Sequence, residues 1–127
     1  MLITGLFIGA GALAGCHHSK TNVATSEDVA KAEEQAQKEV QDARAEARKD
    51  LKNAVKQAGA DSKNVEVARM TGSFDVLMAH ADGDHKVAVE KCRMLAPEAQ
   101  QTCKDQADAQ YQVATENAKA ARAAQTR

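Results

Sequence analysis

The chain has 127 residues, enough for one domain, and 17 basic side chains stand against 18 acidic ones, a net charge of −1. No charge imbalance marks it for nucleic acid, so no nucleic-acid partner is expected. Alanine is the commonest residue, with 27 copies, while there is no Trp, one Tyr and two Phe. Helices can pack closely through alanine, but a thick interior or the walls of a concave catalytic pocket need large side chains that are scarce here.

The chain opens on an apolar, glycine-rich run, Leu2 to Ala12, directly after Met1 and without the basic residues that usually open a leader. The run is too short to span a bilayer, which takes about 20 apolar residues. It has the length of the hydrophobic region of a secretory signal. It closes on Leu13-Ala14-Gly15-Cys16, a leucine and two small residues before a cysteine, and this resembles the lipobox of bacterial lipoproteins. The resemblance covers the first sixteen residues. It implies that residues 1–15 are a cleaved signal peptide and that Cys16 carries a covalent lipid, the only added group expected. It also implies a membrane held through acyl chains, each contributing ~0.8 kcal/mol per buried methylene. The residue after Cys16 is His17 rather than Asp, which by the same resemblance favours the periplasmic face of the outer membrane over the inner membrane. Residues 16–25 are polar without period and read as a tether.

Thr25 or Ser26 is a suitable N-cap, with Glu27 and Asp28 in the turn that follows. From there to Ala58 no Gly or Pro intervenes, and the spacing predicts a helix over 26–58. Its apolar positions run Val29, Ala32, Ala36, Val40, Ala43, Ala47, Leu51, Ala54, Ala58, an eleven-residue repeat. Eleven residues in three turns favour straight or slightly right-handed packing, and an alanine seam lets a partner helix come close. Glu27/Lys31 and Glu34/Lys38 are favourably ordered i,i+4 pairs, and the remaining charges read as a solvated face. Gly59 closes the helix.

A second helix is expected over 62–95. Its stripe is Met70, Phe74, Leu77, Ala81, His85, Ala88, Cys92 and Leu95 or Ala96, and Met70, Ala81 and Cys92 repeat the eleven-residue spacing. Gly72 and Gly83 each cost such a helix ~1 kcal/mol, so Thr71-Gly72-Ser73 and Asp82-Gly83-Asp84 are the places for a bend. Phe74, Val76, Leu77 and Met78 form the densest apolar cluster after the leader. It reads first as core, with Phe74, Leu77 and Met78 as the candidates for a partner-binding spot. His80 and Asp84, spaced i,i+4, and His85 on the stripe form a weak candidate set for Zn or Cu, because a metal site wants three or four ligands.

Three cysteines leave an even pair, Cys92 and Cys103, once Cys16 is assigned to lipid. Pro97 lies between them and suits the first turn of a helix but not its interior. A last helix over 97–124 therefore folds back on the second, and the two cysteines fall nearly level across the turn, so a disulfide is expected there. Its seam is Ala99 or Thr102, then Cys103, Ala107, Tyr111, Ala114, Ala118 and Ala121. The segments Asp82 to Cys92 and Cys103 to Tyr111 resemble a group of small, alanine-rich exported proteobacterial proteins with a cysteine pair. That resemblance covers about the last third of the chain, supports export and the disulfide, and implies no activity.

The fold class expected is all-α: an antiparallel helical hairpin or an elongated three-helix bundle with a disulfide across the last turn. No Ser/His/Asp or Cys/His set, phosphate loop or apolar carboxylate pair is present, so no enzyme is expected. The leading reading is an envelope lipoprotein with a structural or protein-interaction role, partnered by another envelope protein or by itself. The eleven-residue, alanine-rich repeats also look like those of late-embryogenesis-abundant proteins, which makes a stress-protective amphipathic helix the alternative. A periplasmic metal binder is the third reading.

Overall fold

The computed structural model describes residues 24–58 and 62–125, and these fold into three helices and no strands: α1 (Ser26–Ala58), α2 (Ser62–Arg93) and α3 (Pro97–Gln125). The leader, Cys16 and most of the tether lie outside the described residues. Thr25 caps α1. Its Oγ1 accepts from the Asp28 N–H at 3.2 Å, while Asp28 Oδ2 accepts from both the Thr25 N–H and its hydroxyl at 2.8 Å. This reciprocal box satisfies donors that an uncapped helix end leaves open. The bond from the Thr25 backbone, then that from its hydroxyl, holds the Asp28 carboxyl below its usual range.

Helix α2 runs unbroken through Gly72 and Gly83. It ends at Arg93, two residues before the expected Leu95. The residue preceding a proline is pushed out of the α region, and the last turn tightens ahead of it: the Met94 and Leu95 N–H groups donate three residues back, to Lys91 and Cys92, at 3.1 Å each. The Gln100 amide of α3 reaches back to the Leu95 carbonyl at 3.0 Å, covering an acceptor the helix end exposes. Pro97 opens α3, where its missing N–H costs nothing.

Both α1 and α3 pack along α2, and among the described residues no Cα of α1 comes within 8 Å of one in α3. The reason lies in α2. Gly72 and Gly83 face α1, where an added Cβ would meet the Ala47 and Ala36 side chains. Ala81 and Cys92 are buried on the side of α3. Each of these lies nine residues after a glycine, two and a half turns at 3.6 residues per turn, and so on the opposite side of the helix. The three helices therefore lie side by side as a single up-down-up layer rather than closing around a common interior. The buried side chains are correspondingly small: Ala24, Val29, Val40, Ala81, Cys92, Ala107, Thr115 and Ala118, of which Cys92 alone is under 2 % exposed.

Candidate interaction surface

The α1–α2 seam is set by the same eleven-residue period on two antiparallel helices. Ala36 and Ala47 are eleven apart, Gly72 and Gly83 are eleven apart, and Ala47 meets Gly72 while Ala36 meets Gly83. Missing side chains at both glycines bring the backbones together. Along the edges, Lys86 Nζ pairs with Glu39 at 2.7 Å and Lys91 Nζ with Glu33 at 2.9 Å. The Lys86 bond, then one from Gln35, holds the Glu39 carboxyl below its usual range. Arg44 Nη2 lies 3.1 Å from His80 Nε2.

The α2–α3 seam is fastened differently. Cys92 and Cys103 form a disulfide, with Cα atoms 5.5 Å apart. Further along, the Tyr111 hydroxyl donates to Asp82 Oδ1 at 2.7 Å and its ring lies 4.8 Å from that of His85, whose Nε2 is 2.6 Å from Asp108 Oδ1. The hydrogen bond to Asp82, then the charge of that carboxylate, pushes the Tyr111 phenol above its ordinary value. At the far end the Arg122 guanidinium sits 5.0 Å over the Phe74 ring.

The sequence candidates fall into separate places. His80 and Asp84 line one groove beside α1, together with Arg44, whereas His85 turns to α3. Among the described residues no group of three His, Cys, Asp or Glu side chains is placed to hold a metal ion. Phe74 is half-buried under Arg122 and Met78 is half-buried, while Leu77 is 43 % exposed. Leu77 borders a groove of about 420 Å³ between α1 and α2, with Leu51 and Val76 along its floor and Arg44, Arg48 and Arg69 around it. No single stretch of sequence marks this groove, because its lining is shared between residues 44–51 of α1 and 68–77 of α2. Arg69 is held by Glu66 on its own helix at 2.6 Å, and Arg48 has no ion-pair partner among the described residues.

No family model, no curated protein and no solved structure matches this chain. Among the described residues no helix is long and apolar enough to cross a membrane. The described surface includes the Arg-lined apolar groove, exposed Val55, Val67 and Val113, and an apolar turn at Met94 and Leu95, which are 44 % and 42 % exposed.

Proposed function

We propose that this chain is a lipid-anchored, periplasm-facing lipoprotein with a structural or protein-interaction role in the cell envelope, and not an enzyme. The observation that carries the reading is Leu13-Ala14-Gly15-Cys16 closing an apolar run of leader length. Cysteine parity supports it: Cys92 and Cys103 are joined across the α2–α3 turn, so of three cysteines Cys16 is the one left over. A structural disulfide also suits an oxidising compartment. His17 after the lipidated residue favours the outer membrane, and long helices with open faces suit a scaffold better than a pocket. The tether would leave from the end of the layer that holds the α1 N-terminus and the α2–α3 turn.

Metabolic labelling with an alkyne-bearing fatty acid tests this. The wild-type chain takes up the label, sediments with membranes and has the intact mass of a chain starting at acylated Cys16. Cys16→Ser loses the label and leaves the membrane fraction. An unlabelled wild-type chain of full length overturns the reading.

A further inference from the structure

The layer is polarised in charge. Residues 24–43 and 82–108, the end with the disulfide turn, carry twelve acidic and six basic side chains; the described residues of the other end, 44–58, 62–81 and 109–125, carry nine basic and five acidic ones. Exposed apolar surface is present at both ends. At the basic end it includes Val55, Val67 and Val113 and the groove lined by Leu51, Val76 and Leu77 together with Arg44, Arg48 and Arg69. At the acidic end it is the turn, where Met94 and Leu95 stand 44 % and 42 % exposed beside Glu98 in the first turn of α3. A single layer of helices buries only the seams between its members, whereas stable helical domains ordinarily pack two layers face to face.

We infer that the groove is the docking surface for the Met94–Glu98 turn of a second copy of this chain, in an antiparallel pair. A twofold axis makes the contact self-complementary, with each turn seated on the other copy's groove. Antiparallel stacking sets each acidic end on a basic end, while a parallel pair sets like charges together, so electrostatics selects the antiparallel register. The groove and turn are separated along α2 by the 22 residues from Gly72 to Met94, about 33 Å at 1.5 Å per residue, which leaves room for both contacts on one pair. The two α1 N-termini then stand at opposite ends of the pair. A tether of ten residues reaches up to about 35 Å when extended, so two anchored copies share one membrane by lying along it. The pairing itself does not depend on the anchor.

Photo-crosslinking in cells producing the full chain tests the inference. A benzophenone amino acid at Leu77 is expected to give a dimer whose adduct lies in the tryptic peptide Met94–Lys104 of the other copy. Arg48→Glu lowers the adduct yield about tenfold, as does Glu98→Arg, and the two changes together restore it. Both positions are exposed, so helix content by circular dichroism stays unchanged and a folding failure is distinguished from a lost contact. Cys16→Ser leaves the adduct in place even if it abolishes anchoring, which separates failure of the pairing from failure of the lipoprotein reading. The inference is overturned by an adduct joining Leu77 to position 77 of another copy, to lipid or to an unrelated protein, by the absence of a dimer, or by a charge swap that fails to restore it.

Discussion

Gly72 lies so close to Ala47 that a Cβ built on it would stand 2.6 Å from the Ala47 Cβ and 3.2 Å from its Cα. Side-chain rotation cannot relieve that approach, because an alanine has no rotamer and its Cα belongs to the backbone. Gly72→Ala would gain ~1 kcal/mol of helix propensity in an exposed helix. Here the overlap is expected to outweigh the gain and destabilise the fold by about 1–3 kcal/mol. Gly83→Ala meets Ala36 at 2.9 Å and is expected to cost less. Thermal melts followed by circular dichroism check the order, and Ala47→Gly is expected to recover part of the loss in the Gly72→Ala background. A Gly72→Ala chain more stable than wild type would show that the seam is not held at this distance.

The disulfide should act on α3 alone. Cys92 and Cys103 are eleven residues apart, and closing so short a loop is worth about 3 kcal/mol in the entropic account. Replacing both cysteines by Ala also removes the most buried side chain of the α2–α3 seam. Hydrogen exchange is expected to rise across α3 and the Tyr111 region, while the amides of α1 facing Gly72 and Gly83 stay protected. Equal loss of protection in α1 and α3 would show that the layer unfolds as one unit.

Tyr111 is the only tyrosine, so its phenolate absorbance reports one site. Its hydrogen bond to Asp82, and then the charge of that carboxylate, hold the folded-state value above the ordinary 10.0. The stability this contributes is fully present below the unfolded value and is lost as pH rises through the folded one. An alkaline titration should therefore run higher for the folded chain than for the chain in denaturant. Asp82→Ala should bring the two closer, because it removes both the acceptor of the Tyr111 hydroxyl and the charge.

Asp28 gives the opposite sign. Its carboxyl is held below the usual range, first by the Thr25 backbone bond and then by the Thr25 hydroxyl. Its contribution is present above the unfolded value and is lost as pH falls through the folded one. Nuclear magnetic resonance titration of the Asp28 carboxyl should show a low midpoint that rises towards the unfolded value in Thr25→Ala, with the first turn of α1 fraying.

Circular dichroism separates the envelope lipoprotein from the stress-protective alternative. In dilute buffer the chain is expected to be helical and to melt cooperatively, with a midpoint that drops on reduction. A coil spectrum that becomes helical only with lipid or alcohol would favour the alternative.

Much of this protein was legible one element at a time. The uninterrupted stretch from Ser26 to Ala58, the punctuation at Gly59 and Pro97, and the level placement of Cys92 and Cys103 gave three helices whose bounds differ from the structure by two residues at most. Local propensity, caps and proline act over a few residues, so they show in the chain itself. The eleven-residue alanine repeat was visible too, but not what it meets. Gly72 and Gly83 look like weak points in α2 when it is read alone, because their cost is local. Their use is tertiary, since each is where an alanine of α1 fits. The sequence of α2 shows one apolar stripe, yet the helix buries two opposite sides, and a second stripe made of glycines has no hydrophobic signal. Thr115, buried against α2 with its hydroxyl bonded to the Gln112 carbonyl at 2.9 Å, and the Tyr111–Asp82 bond were invisible for the same reason. The sequence by itself determined the helices, their ends and their cysteine pairing, because those depend on neighbours along the chain. Only the tertiary structure decided that they form an open layer with an Arg-rimmed groove, because that depends on which faces of α2 lie across from α1 and α3.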